Sequence, residues 1–176
     1  MVSWLDILPT LLEAAGVDPT KAAPDIDGRS FMKVLTGQTN THRDRVFGSH
    51  SGDTNINFYP SRSVRLGSWK YIRNLDSGLE FHTHIDLRPQ DTNYWPSWVE
   101  HAKTNPAIAE LIRQYHHRPP EELYDLSKDP DELKNLAADP GHAGDLSRLR
   151  AALDEWMKAS GDRGIATDNA NRPVGQ

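Results

Sequence analysis

The residues best suited to metal binding or proton transfer are histidines that occur in pairs. His82 and His84 lie two positions apart, so a strand would place both on one face, where they could bind zinc together. No third ligand stands nearby in the sequence, and two histidines on a surface loop are the simpler interpretation. His116 and His117 precede Arg118 and are typical of a helix end, where cations are favoured. The sequence therefore predicts no metal site.

Two other groups suggest catalysis or calcium binding, but each lacks a required part. The run Ser49–Ser51 offers hydroxyls beside an imidazole, yet adjacent residues seldom reach the geometry of a nucleophile and its base, and no orienting acid is identifiable. An acidic cluster near the end of the chain comprises Asp125, Asp129, Asp131 and Glu132. It lacks the ligand spacing and central glycine of an EF-hand, so carboxylates that accept hydrogen bonds from helix amides are the simpler account. We expect no catalytic residue in this chain.

An aromatic group, Tyr94, Trp95 and Trp98, has two possible roles. It could form a platform on which a sugar ring stacks, or a small core beneath a long insertion. The sequence does not choose between these roles. Glycines at the spacing of a phosphate-binding loop are absent.

Composition limits the classes of partner. The chain has 176 residues and a net charge of −5, which suits one domain, or one domain and a fragment of another. No basic stripe suggests nucleic acid, and no apolar run approaches the ~20 residues that span a bilayer. A basic leader and cleavage site are not visible after Met1, so we expect no secretory signal, and the compartment stays open. Cysteine is absent, which removes disulfides and thiolate zinc sites.

A first helix is predicted over residues 3–15, with Ser3 as its N-cap and Gly16 as its stop. Apolar side chains occupy most of its circumference: Trp4, Leu5, Ile7, Leu8, Leu11, Leu12 and Ala15. A helix that is apolar on most sides is normally buried on most sides. Either this helix lies within the core of this chain, or part of its packing surface belongs to a partner that the chain does not contain.

The clearest local structure is a hairpin. Two strand-like runs, residues 61–66 and 69–75, flank Gly67-Ser68, with glycine first as a two-residue primed turn requires. A strand is also expected to begin at Val46, and a long loop follows over residues 49–57. Residues 76–120 form an insertion with two helical runs, 97–104 and 106–115.

The closing stretch, residues 121–140, predicts an edge strand, a turn and a short helix. Asp129, Pro130 and Glu132 have the spacing of a capping box, and Asp139-Pro140 repeats the cap-then-proline pattern before a last helix to Ser160. The predicted fold class is α+β, a small four-stranded antiparallel sheet packed by a long C-terminal helix. A polar, flexible tail is expected over residues 162–176.

Several motifs, in order, resemble the sulfatase family. Residues 4–12 and Ala15-Gly16 resemble the helix that follows the last active-site segment, and Asp27–Phe31 resembles the DGxS element. Residues 62–72 are similar to the RxVRxxxxKYI hairpin, and residues 122–137, ELYDLSKDPDELKNLA, are similar to the closing signature. The FGSH and YPSR runs and the tryptophan-bearing insertion most resemble heparan N-sulfatase (sulfamidase) members.

The resemblance implies a domain division and a partner. Residues 1–44 would be the end of an N-terminal sulfatase domain and a linker, and residues 45–161 a C-terminal subdomain. The first helix would then pack on a missing N-terminal α/β domain, and the same face allows self-association. In the family a formylglycine nucleophile and a divalent cation, usually calcium, cleave a sulfate ester or sulfamate. Phe58, two before Pro60, cannot become formylglycine, so the resemblance implies a chain without catalytic centre or cofactor.

The resemblance also suggests residues for the rim of a substrate cleft. By position these are His50, Tyr59 and Arg62, although Arg62 could equally be a structural ion-pair partner. Two alternatives remain for the function. The chain could be a stand-alone module that binds glycans or proteins, or a relative of phosphodiesterases and phosphonate hydrolases, which share the superfamily architecture.

Overall fold

The computed structural model describes residues 1–52, 57–88 and 94–170. Parts of the predicted loop 49–57 and of the predicted tail 162–176 therefore lie outside the described residues. The chain divides into two compact units. The first unit comprises residues 1–46 and 65–67, and the second comprises residues 47–64 and those from 68 onward.

The first unit is mainly helical. A 3₁₀ turn, Trp4–Asp6, leads directly into helix α1, Ile7–Ala14, which ends before Gly16 at a φ of +75°. Two short helices follow, α2 over Pro19–Ala22 and α3 over Met32–Leu35. Ser3 is the N-cap of the first turn, and the Asp6 carboxylate accepts in return from the Ser3 amide, so the first helix begins with a capping box.

A polar network fixes the inward side of α1. Asp6 is fully buried, and its carboxylate accepts hydrogen bonds from the Arg29 amide at 3.0 Å and from the Arg43 guanidinium. His42 Nε2 lies 3.1 Å from the same carboxylate. Buried Thr10 accepts from the Phe31 amide at 3.1 Å. The helix thus contacts the rest of its unit largely through hydrogen bonds.

The segment after α2 packs against this helix at close range. A Cβ built on Gly28 would lie 1.8 Å from the backbone oxygen of Leu5, so only glycine fits there. The same approach brings the amides of Arg29 and Phe31 to their acceptors on the helix. This contact explains why the sequence places glycine at that point of the Asp27–Phe31 motif.

A single four-stranded sheet forms in the order β1-β2-β3-β4, with β1 over Arg45–His50, β2 over Ser61–Leu66, β3 over Trp69–Asn74 and β4 over Glu121–Asp125. Strands β3 and β4 are antiparallel, with Tyr71 opposite Leu123. Gly67, at a φ of +60°, begins the β2–β3 turn, as predicted.

The core of the second unit lies between the sheet and a long helix. A 3₁₀ turn, Pro140–His142, is capped by Asp139 and leads into α7, Ala143–Ala159. Buried side chains of the sheet and helix meet there: Val64, Tyr71, Leu123, Leu146, Leu149 and Leu153. Each fully buried leucine contributes about 1.5–3 kcal/mol. The predicted α+β fold, with its antiparallel sheet and long C-terminal helix, is confirmed.

The capping-box helix predicted after Asp129 does not form. Glu132 adopts a φ of +57°, which a right-handed helix excludes, and its carboxylate pairs with Lys70 Nζ at 2.7 Å. Asp129 instead accepts from the amides of Leu133 and Lys134 in a turn. A contact distant in sequence therefore overrides the local helix signal.

The chain after α7 departs from the predicted flexible tail over its first residues. Helix α8 spans Ile165–Ala170, and Asp168 within it is buried. Asp162 and Asp168 both pair with the Arg62 side chain. Two acids of the segment that the sequence predicted to be a flexible tail therefore belong to a buried ion triad.

The described part of the insertion between β3 and β4 includes α4 over His84–Leu87, α5 over Tyr94–Ala102 and α6 over Pro106–His116. Trp95 is buried and lies 5.1 Å from the Tyr115 ring, centroid to centroid, so it forms a satellite core. Tyr94 and Trp98 remain about half exposed.

No helix in the described part of the chain is long and apolar enough to cross a membrane.

Candidate functional site

The outward side of the first helix exposes a group of apolar side chains, which we name the apolar face: Trp4, Leu5, Leu8 and Leu11. Trp4 is 88% exposed, Leu8 50% and Leu11 62%. The pattern is the reverse of an ordinary amphipathic helix, because the residues turned inward include Asp6 and Thr10. Contiguous exposed apolar side chains on a folded protein mark an interaction surface.

Of the three predicted rim residues, His50 ends β1 and Arg62 lies in β2, whereas Tyr59 precedes β2. The Arg62 guanidinium donates to the His50 carbonyl at 3.3 Å, which joins the end of β1 to the start of β2. Tyr59 is 1% exposed, and its ring lies against Phe81 at 5.4 Å, centroid to centroid. Burial raises the pKa of the Tyr59 phenol.

Arg62 is the centre of a buried ion triad. Its side chain is 2% exposed and contacts both Asp162 and Asp168, with Nη2 2.8 Å from Asp168 Oδ1. The hydrogen bond from Arg62 lowers the pKa of Asp162. Ser51 also donates to Asp168. This geometry matches the ion-pair alternative for Arg62, because the guanidinium is already engaged by protein carboxylates.

Several polar atoms near these residues are buried without a hydrogen-bond partner among the residues that the structure describes. They include His50 Nε2, the Tyr59 hydroxyl and Asp168 Oδ2 of the ion triad. Such atoms are costly unless water or another molecule satisfies them. His50 and Tyr59 are also two of the residues that the sequence suggested for a substrate rim, and that role remains a prediction.

A cluster that the sequence did not predict lies in the insertion. One ring nitrogen each of His82 and His116 and a carboxylate oxygen of Asp86 lie within 4.8 Å of one another. The sequence paired His82 with His84, but His84 is exposed at the start of α4 and is not part of the cluster. The histidines that meet come from opposite ends of the insertion, so sequence spacing carried no signal for them.

The calcium site typical of sulfatases does not match what this chain offers. Calcium takes six to eight oxygen ligands. Among residues 1–52, 57–88 and 94–170, the one grouping of potential ligands contains two imidazoles and a single carboxylate. The predicted acidic cluster is engaged otherwise, since Asp125 accepts from Ser127 and Glu132 pairs with Lys70.

A cavity of about 370 Å³ opens beside the end of α6 and the outer side of β4. Its lining includes Arg113, His117 and Arg118, together with Glu122. The Glu122 carboxylate is already engaged, by Asn74 at 2.7 Å and by the Tyr124 hydroxyl. The cavity is therefore lined by basic, polar and apolar side chains together, with Leu133 among the apolar ones.

The structure thus contains a four-stranded sheet packed by a long helix and, in the other unit, a first helix with an exposed apolar face. Comparison with known proteins identifies the class. The chain is 32% identical to the ulvan-active sulfatase of Formosa agariphila over 92% of its length, and 31% identical to human N-sulphoglucosamine sulphohydrolase over 89%. It spans about 30% of the length of these curated relatives.

A solved structure of a 2-O GAG sulfatase gives the same result. It aligns with 89% of this chain and 25% of its own, at a TM-score of 0.58 and 26% identity. No family model matches the chain. The chain belongs to the sulfatase family and corresponds to a C-terminal sulfatase portion, with sulfamidase-like relatives.

Proposed function

We propose that this chain is the C-terminal subdomain of a hydrolase that cleaves sulfate esters or sulfamates, and that it is not catalytic by itself. One observation carries the proposal: the similarity to two sulfatases covers about nine tenths of this chain but under a third of either relative. The sequence contains no C/S-x-P-x-R motif from which formylglycine could be made. Nucleophile and calcium would therefore be supplied by the part of a sulfatase that these 176 residues do not include.

The apolar face supports a domain contact. Burying the exposed side chains of Trp4, Leu8 and Leu11 would remove a large apolar surface from water, and each large side chain contributes about 1.5–3 kcal/mol when fully buried. The inward side of the same helix is already fixed by the Asp6 network. The proposed occupant of the apolar face is the N-terminal sulfatase domain.

His50, Tyr59 and Arg62 are the residues proposed for the substrate rim. Within the part of the chain that the structure describes, His50 Nε2 and the Tyr59 hydroxyl have no hydrogen-bond partner, which supports a polar contact there. Arg62 would act indirectly, since its donation to the His50 carbonyl positions the end of β1. The substrate would be a sulfated saccharide in the complete protein.

Inactivity of the isolated chain is directly testable. The purified 176-residue chain, assayed with an aryl sulfate and calcium, should give no turnover above buffer, because it lacks a nucleophile that can become formylglycine. An active sulfatase under the same conditions serves as the positive control. Turnover that co-purifies with the folded chain would contradict the proposal.

The stand-alone binding module is the second candidate, favoured by the cavity beside Arg113 and Arg118. The coding sequence upstream of Met1 separates the two candidates. An in-frame C/S-x-P-x-R motif with aspartate-rich metal motifs supports the hydrolase, whereas a stop codon and a working promoter support the module. A phosphodiesterase or phosphonate hydrolase relative would be recognised if the complete protein cleaved those substrates and left an aryl sulfate intact.

A further inference from the structure

The His82, Asp86 and His116 cluster is built by contacts that join both ends of the insertion. The Phe81 amide donates to the His116 carbonyl at 2.8 Å, and His116 Nδ1 lies 3.0 Å from the Phe81 carbonyl. These two bonds hold residue 82 beside residue 116. The two imidazole rings lie 4.9 Å apart, centroid to centroid.

Asp86 is held rigidly at the centre of the cluster. Its side chain is 4% exposed, and Oδ1 accepts from the Thr83 amide at 2.7 Å and from the Tyr115 hydroxyl at 3.1 Å. The other oxygen, Oδ2, faces His82 Nδ1 at 2.5 Å and His116 Nδ1 at 3.9 Å. The group is therefore held in place with one oxygen turned to the histidines.

His82 has a carboxylate at each ring nitrogen. Nδ1 faces Asp86, and Nε2 lies 3.2 Å from Glu80 Oε2. A neutral imidazole has one N–H, so it can donate to only one of these carboxylates. The other contact requires a second proton or a metal ion. Ligand imidazoles commonly donate their outer N–H to a carboxylate, which is the position of Glu80.

The distances suit a small transition-metal ion. With ligand bonds of 2.0–2.1 Å, tetrahedral zinc places its ligand atoms about 3.3 Å apart. The contacts from Asp86 Oδ2 to His82 Nδ1 and His116 Nδ1, 2.5 Å and 3.9 Å, bracket that value. His116 Nδ1 also donates to the Phe81 carbonyl, so zinc at that nitrogen would replace this hydrogen bond. Two imidazoles and one carboxylate suit zinc, whereas calcium and magnesium favour oxygen ligands.

We propose that His82, Asp86 and His116 bind one Zn²⁺ ion, with water in the remaining coordination position and Glu80 orienting His82. His82 is 31% exposed, so solvent reaches the cluster from one side. The ion would fasten α4 to the end of α6 and so stabilise the insertion. This proposal does not depend on the proposed hydrolase function. The competing account is an ion pair between a doubly protonated His82 and Asp86.

Calorimetric titration of the full chain with Zn²⁺ tests the proposal, using His82→Gln, His116→Gln and the matched control His84→Gln. His84 is exposed, lies two residues from His82 and belongs to the pair that the sequence suggested. We expect one zinc per chain, a loss of affinity of at least about tenfold in His82→Gln and His116→Gln, and an unchanged affinity in His84→Gln. Glu80→Gln should weaken binding by roughly tenfold or more.

Thermal unfolding provides the second readout. Zn²⁺ should raise the melting temperature of the wild-type chain and of His84→Gln, but not that of His82→Gln, and Ca²⁺ should have no such effect. The melting temperatures without metal show whether each variant folds, and partly exposed His82 is the safer site for the substitution. Absence of zinc binding to the wild type, or binding that survives in folded His82→Gln, would overturn the proposal and leave the ion pair as the explanation.

Discussion

The buried carboxylate of Asp6 holds the first helix to the rest of its unit. Its oxygens accept from the amides of Ser3 and Arg29 and from the Arg43 side chain, with no exposure to solvent. Removing one partner of a buried pair usually costs more than the pair contributes, because a charge is left uncompensated. Asp6 therefore determines whether the polar side of the first helix can stay in contact with the rest of its unit.

Replacing Asp6 with Asn should destabilise the first unit at neutral pH by about 3 kcal/mol, the lower end for breaking a buried pair, since Arg43 loses its counter-charge. Urea unfolding followed by circular dichroism measures the loss. The control is Asp18→Asn, which removes an exposed acid of the same unit that contacts Lys21, and it should have little effect. Equal stability of Asp6→Asn and the wild type would show that the network is dispensable.

The same variant should change the response to acid. Burial by itself raises the pKa of Asp6. The hydrogen bonds from Arg43 and from the amides of Arg29 and Ser3 outweigh this effect and hold the pKa below its ordinary value. A lowered folded-state pKa contributes stability that is fully present above the unfolded value of about 3.9 and is lost as the pH falls below it. The difference in unfolding free energy between wild type and Asp6→Asn should therefore shrink below about pH 4. A difference that grows in acid would contradict this assignment.

At the scale of elements, the segment after β4 shows how an edge strand is protected. Asn135 Oδ1 accepts from the amides of Leu123 and Ala137, each at 2.9 Å, and Nδ2 donates to the Glu121 carbonyl. The Leu136 amide also donates to the Leu123 carbonyl at 2.8 Å. One side chain and one amide thus satisfy the backbone groups that β4 would otherwise leave unpaired.

Asn135→Ala should therefore lower the unfolding free energy of the second unit by about 1–3 kcal/mol, because the amide of fully buried Leu123 loses its acceptor. Tryptophan fluorescence during urea unfolding reports on this unit, since Trp69 and Trp156 pack against its core. Lys134→Ala, at the neighbouring exposed position, is the control and should change stability by less than about 0.5 kcal/mol. A similar loss in both variants would place the effect in the turn as a whole.

The elements that the sequence predicted are those with a local cause. The Gly67 turn, the Asp139 cap and the Leu146, Leu149 and Leu153 stripe all act over a few residues and appear in the structure. The predictions that failed have distant causes. Glu132 pairs with Lys70 instead of completing a capping box, and Asp162 and Asp168 pair with Arg62 in a segment that was expected to be flexible.

The contrast between local and distant causes also explains which candidate sites the sequence could suggest. Motif order suggested His50, Tyr59 and Arg62 for a substrate rim, and that role stays a prediction. The pairing of His82 with His116 depends on hydrogen bonds between Phe81 and His116 that no spacing reveals. Local patterns therefore predict elements better than they predict clusters.

At the scale of the whole molecule, the apolar face is the feature that an isolated chain cannot satisfy. The side of the first helix that turns inward is polar. Trp4, Leu8 and Leu11 face solvent, so this helix is not enclosed by its own domain. In a sulfatase of full length this surface would meet the N-terminal domain, as proposed above. In its absence, two chains can remove the surface from water by pairing through it.

Self-association through the apolar face is therefore expected for the isolated chain and should depend on protein concentration. Sedimentation or light scattering across a concentration series should show dimers or larger species, and Leu8→Glu or Leu11→Glu should shift the population to monomer, because a buried glutamate lacks a partner there. Leu35→Glu is the matched control, since Leu35 is equally exposed in the same unit but lies outside the apolar face. A monodisperse wild-type monomer at high concentration, or an equal effect of Leu35→Glu, would show that this face does not drive association. Because neither substitution touches the Asp6 network, a change in mass would report on the surface and not on folding.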